Sequence, residues 1–361
     1  MSNMNDSLQV ILDDILSEYG DINEKAVSSA SEGESEEIRE ITSKSAIVLL
    51  EKLKLMAEDK LQAVKEIEKE FEAAVLRTWK KPLDLLDLLL YLSLEVASEF
   101  NSERGSKASK HDYVRRALVR QQAKACLVFN EIFHLLRSGF PSGALMHWKT
   151  LHEITCVSYF VSKHGENMAK RFLDYEVVER FFQAEALLEH QQKIGYETLS
   201  EKEFEAMKKE FSKIKKSYGL DFVKKINYPY GWVPRKVLKT RSLREIESSV
   251  DLDTLRPFYD LACYNVHGGP KGLIFKPTFI KEERKNAFIP LGPSNYGLAD
   301  PGKIAAISLG QVTACLLLSE STVKRLIIVE SLRNLVDEIS DAFHEIQADF
   351  GRDSKTLNSP T

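Results

Sequence analysis

The stretch Leu252 to Gly272, LDTLRPFYDLACYNVHGGPKG, places four polar residues where acid-base chemistry could be done. At 3.6 residues per turn Arg256, Asp260, Tyr264 and His267 fall on one stripe of a helix otherwise built from Leu255, Phe258, Leu261, Ala262 and Val266. His267 closes that helix, where the dipole favours an imidazolium, and the paired glycines after it let a ligand or another backbone approach. Tyr264 and Asp260, three and seven residues earlier, are placed to orient or charge-tune it. The same spacing also suits a C-terminal histidine that bonds its own helix carbonyls, and both readings stand.

A second polar centre lies in the segment Pro141 to Lys163. Pro141 can open a helix without losing a backbone bond, and the residues after it are apolar nearly all round, from Ala144 and Leu145 through Trp148 and Leu151 to Phe160 and Val161. A helix of that kind is buried. Lys149 and Glu153 are four apart within it, with His152 beside them. Burial makes an unpaired charge costly, so Arg137, Arg171 or Arg256 is expected as a partner; a structural ion-pair network explains the same residues. His147 and His152, five apart, do not have the i,i+4 spacing of a helical metal pair, and no metal or cofactor is expected. The chain contains no P-loop, GxGxxG, GxSxG or HExxH motif.

The elements that must position these residues are helical. Residues 5–19 repeat apolar positions at helical spacing, and the Ala/Ser/Glu/Gly stretch up to residue 35 reads as a flexible linker. Residues 36–77 contain neither Pro nor Gly and form one long charged amphipathic helix, ending at the Lys80-Lys81-Pro82 break. Pro82 opens an apolar helix to about Phe100, and the two make an N-terminal helical hairpin over 36–105. The main bundle occupies 106–350, with helices from about His111 to Leu136, 141–163, 167–193, 200–216, 252–267 and, after the Asp300-Pro301 start signal, 300–350. Residues 271–299, rich in Pro and Gly, read as an irregular insertion with short strands at Leu273 to Phe275 and Phe288 to Leu291. Residues 351–361 read as a disordered tail. The fold class is all-α.

Composition narrows the function classes. Charged residues are 29%, the hydrophobic set is 43% and the net charge is -4, so no global basic field draws in nucleic acid. The basic run Arg115 to Lys124 lacks interleaved aromatics and reads as a solvated face. Four widely spaced cysteines in apolar patterns read as buried thiols in a reducing compartment. No basic n-region precedes the first apolar residues, and the apolar runs Leu83 to Glu95 and Ile304 to Ser319 read as buried helices, so a cytoplasmic protein without membrane contact is expected.

Several features in order resemble a family of bacterial helical proteins, domain of unknown function 5677. They are Phe71 with Trp79 and Pro82, Arg137-Ser138-Gly139 followed by Ala144-Leu145 and Leu151-His152-Glu153, Arg171-Phe172 with Tyr175, and Tyr264-Asn265-Val266-His267-Gly268. They span residues 70 to 320. The layout is more distantly similar to the HEPN class, many of whose members are metal-independent ribonucleases. Those place an arginine four to six residues before a histidine, across a dimer, to stabilise phosphate and move a proton. Here Arg256 and His267 have ten residues between them, and Lys149 stands where the family commonly carries an arginine.

Two expectations arise. In the first the chain acts on RNA or binds a nucleotide in a defence or toxin role, as a homodimer. His267 is then the acid/base, Glu153 and Tyr264 orient it, Arg256 and Arg137 meet phosphate, and Lys149, Arg171 and Asp260 complete the site. In the second it is a non-enzymatic helical sensor or interaction module whose partner surface is the helix over 36–77. Convergence of His267, Glu153 and an arginine on an accessible pocket separates the two.

Overall fold

The computed structural model describes residues 2–17, 36–103, 112–195, 199–267, 269 and 292–356. Among these are ten α-helices and no strand, the all-α bundle that the periodicities require. The expected linker up to residue 35, the segment 104–111, the two short strands and most of the insertion at 271–299 lie outside the described residues. The chain divides into two compact units, residues 1–73 and 74–361.

The first unit contains α1 (Ser2–Ser17) and most of α2 (Glu36–Thr78). Along α2 the side chains of residues 61–70 are all exposed, although Leu61, Val64 and Ile67 are among them. This helix is held by its own backbone bonds and surface pairs such as Lys44 with Glu40 (2.7 Å) rather than by a core on every side.

The second unit is built around one helix. α9 (Ala299–Leu318) packs against α3 (Lys80–Ser102), α4 (Tyr113–Arg137), α5 (Pro141–Ile194) and α10 (Val323–Thr356). Fourteen of its twenty residues are buried, so it is apolar all round because every face meets protein. It is also the one described helix long and apolar enough to cross a membrane, and two thirds of its apolar window is buried inside the fold. Gly302 sets the approach of α10: a Cβ there would lie 2.3 Å from Phe343 Cζ, and Phe343 is itself fully buried. At the other edge Trp79 fixes the 292–298 segment, its indole N–H donating to Asn295 Oδ1 at 2.8 Å.

Helix ends obey local chemistry. α4 stops where Gly139 takes φ 76°, with Phe140 N donating to Leu135 O (2.7 Å) and Gly139 N to Leu136 O (3.1 Å), the two bonds of a Schellman close. α6 (Glu201–Tyr218) begins in a capping box between Ser200 and Glu203. The expected helices 141–163 and 167–193 are both present, as the two arms of α5, with non-helical backbone at Gly165 (φ 73°, ψ -163°) between them. The helical structure expected over 300–350 is present as two helices, α9 and α10. The expected 252–267 helix is a 3₁₀ turn followed by α8 (Arg256–Val266), and α7 (Leu243–Ser249), unforeseen, precedes it.

A second core lies between α5 and the chain over 222–250. Phe160, Val161, Tyr175, Phe222, Trp232 and Val233 are among its most deeply buried members. It presses α7 onto the middle of α5, which sets up the polar centre.

Candidate functional site

On α5, Trp148, His152 and Cys156 come at i, i+4 and i+8, so all three face the same way. All are fully buried. α7 brings Glu247 up to that face because Leu243, Ile246, Glu247 and Val250 form its inward stripe, and α8 begins with Arg256 close by. His152 Nε2 lies 2.9 Å from Glu247 Oε1, and the two side chains are 1% and 0% exposed. Arg256 pairs with the other oxygen of Glu247. Trp148 stacks on the imidazole, ring centroids 5.0 Å apart at 28°.

The charges balance with a neutral histidine. One guanidinium meets one carboxylate, and a proton on His152 would leave net positive charge in a sealed site. Burial, with Arg256 nearby, holds the His152 pKa down to about 4. The imidazole then donates its Nε2 proton to Glu247, and Nδ1 keeps its lone pair without a donor among the described residues. Burial also pushes the Cys156 thiol up to about 12, keeping it protonated.

This shift links folding to pH. The unfolded chain takes up a proton at His152 near the ordinary value of 6.5, whereas the folded chain resists until about pH 4. Stability from this group is therefore complete above pH 6.5 and falls as the pH drops. Between pH 7 and pH 5 the loss is about 2 kcal/mol. Urea unfolding at both pH values should show that loss in the wild type and a smaller one in His152→Asn. Equal losses in the two proteins would mean that His152 is not held neutral.

A more accessible rim adjoins this network. Tyr230, from the segment between α6 and α7, donates its hydroxyl proton to Glu153. Burial and the Glu153 carboxylate hold that phenol well above its ordinary range. Lys149 does not pair with Glu153; its ammonium lies 5.1 Å from the centroid of the Tyr259 ring, which also carries the Arg256 guanidinium at 4.7 Å.

The structure brings together only some of the residues expected to act jointly. Arg256, Lys149 and Glu153 gather here. Asp260 lies 3.8 Å from Arg256 but is 60% exposed. His267 caps α8 in the open, its backbone N–H bonded to Cys263 O; among the described residues its side chain forms no hydrogen bond or ion pair with Glu153, Arg256 or Arg137. Tyr264 is exposed as well. Arg137 covers the Phe133 ring at the end of α4. Arg171 donates to Trp232 O (2.7 Å) and stacks on Tyr218 and Phe222, so it braces the second core.

The acid that answers Arg256 is Glu247, which the spacing of polar residues did not single out. The signal was a carboxylate at the i+4 position of the apolar pattern Leu243, Ile246, Val250. His152 Nε2, Cys156 Sγ and a Glu247 oxygen lie within 4.8 Å of one another and could together ligate a metal ion. Arg256 already takes the carboxylate charge of Glu247.

Residues 115–286, which include every residue of this centre, match the model described as Family of unknown function (DUF5677). No curated protein and no solved structure matches the chain.

Proposed function

We propose that this chain, whose residues 115–286 belong to the family of unknown function DUF5677, is a non-enzymatic helical interaction module with α2 as its docking element. The observation that carries the reading is the apolar stripe along α2: Ile47, Leu50, Leu61, Val64 and Ile67 are all exposed, Ile67 by 67%. Contiguous apolar surface in water marks a place where another molecule binds. The buried centre supports the same reading. Glu247 is shared between Arg256 and His152, a geometry suited to locking α5, α7 and α8 together.

The alternative, acid-base cleavage of RNA by His267, is tested directly. Wild type and His267→Ala are expressed in a bacterial host, with growth and total RNA integrity followed and folding checked by circular dichroism. The expected result is intact RNA and equal growth for both. RNA cleavage by the wild type that disappears in a folded His267→Ala protein would overturn the module reading.

A further inference from the structure

The apolar surface of α2 has the repeat of a coiled coil. With Ile47 as the first position, a, of a seven-residue repeat, the a positions are Ile47, Lys54, Leu61 and Glu68, and the d positions are Leu50, Ala57, Val64 and Phe71. None of these eight is buried. Leu53 and Ile67, at the neighbouring g positions, widen the stripe and are exposed too. From Ile47 to Phe71 the seam runs about 37 Å at 1.5 Å per residue. It is longer than the stretch an isolated helix needs for marginal stability, yet its apolar side faces water.

Two seam positions carry opposite charge, and they select the occupant and its direction. In a parallel pair of these helices a faces a, so Lys54 would meet Lys54 and Glu68 would meet Glu68, both repulsive. In an antiparallel pair a faces d. Centred on residue 59, Ile47 then lies opposite Phe71 of the second copy, Lys54 opposite Val64, and Leu61 opposite Ala57. Lys54 adjoins the layer that holds Glu68 of the second copy, and two-fold symmetry repeats the contact. On the flanks, at the e positions, Glu51 meets Lys65 of the second copy, again twice, while at the two-fold axis Glu58 meets Glu58 and, at the g positions, Lys60 meets Lys60. The antiparallel pair thus sets four attractive contacts against two repulsive ones, whereas in the parallel pair both charged seam positions repel their own copies.

We infer that α2 is a homodimerisation element, pairing antiparallel with α2 of a second copy of this chain. The inference rests on reading α2 as the docking element. A two-fold interface of this kind is isologous, so the two partners use the same residues.

Sedimentation equilibrium on the full chain tests it, with Lys54→Glu, Glu68→Lys and the double exchange compared with the wild type. The expected result is a wild-type dimer whose Kd rises about tenfold or more in each single variant, because two symmetric attractions become repulsions. The double exchange, which restores opposite signs only across an antiparallel seam, should return the Kd to within about threefold of the wild type. A wild-type monomer at tens of micromolar overturns the inference. So does a dimer indifferent to both single changes, or one that the double exchange fails to restore. These failures are distinct from failure of the module reading: a monomer with intact RNA in the expression assay removes only the self-pairing, whereas RNA cleavage dependent on His267 removes the module reading whatever the mass.

Discussion

Replacing Glu247 by alanine is expected to destabilise the fold by about 3–5 kcal/mol, the cost of leaving a partly buried charge without its counter-ion. The carboxylate is fully buried and answers both the guanidinium of Arg256 and the Nε2–H of His152. Without it, the guanidinium, only 18% exposed, must turn outward or remain unsolvated, and the imidazole loses its acceptor. For a protein of this size the thermal midpoint should fall by roughly 4–7 °C. Glu247→Gln keeps the shape but not the charge, so it should recover only part of the loss. Removing both partners, as Glu247→Ala with Arg256→Leu, should cost less than the two single changes together by about 1–3 kcal/mol, because the stranded charge is gone. Urea unfolding followed by far-ultraviolet circular dichroism measures the wild type and the four variants. A Glu247→Ala protein as stable as the wild type would mean that the triad does not hold α7 and α8 to α5.

Trp148→Ala is expected to act on the same centre from the opposite side, with a loss of about 3–5 kcal/mol. The indole is fully buried, and its N–H donates to Ile304 O and to Ser308 Oγ, each at 3.0 Å, joining α5 to α9. Alanine leaves a cavity and strands both acceptors. Trp148→Phe keeps most of the ring volume and should lose about 1 kcal/mol, the worth of the missing hydrogen bonding. The ring also covers His152, so the alanine variant admits water beside the imidazole. The His152 titration, followed by nuclear magnetic resonance, should then move up from its depressed value toward the ordinary one. A stable Trp148→Ala protein with an unmoved His152 would show that the stacking face does not seal the triad.

The two changes should also couple. Trp148 and Glu247 contact the same imidazole, so the double variant should deviate from additivity.

Much of the fold was legible in the sequence because helix periodicity, proline and glycine act locally. The run without Pro or Gly over 36–77 is α2, the apolar run after Asp300-Pro301 is the buried α9, and Arg137-Ser138-Gly139 is the stop of α4. Local signals were insufficient where an element was short. The seven residues of α7 are too few for a periodic pattern to stand out.

The site divides along the same line. Sequence alone placed Arg256, Asp260, Tyr264 and His267 on one stripe, and Lys149, His152 and Glu153 in a buried helix, since both statements depend only on spacing. It could not decide which way each stripe turned. Tertiary packing decided that, because a helix eleven residues long presents its start and its end to different surroundings. The second core drives Glu247 of α7 against α5, so the start of α8 turns Arg256 inward to it, while the end leaves Tyr264 and His267 in water. The partner of a buried charge is chosen by three-dimensional proximity, and Glu247 and His152, 95 residues apart, meet only in the folded chain.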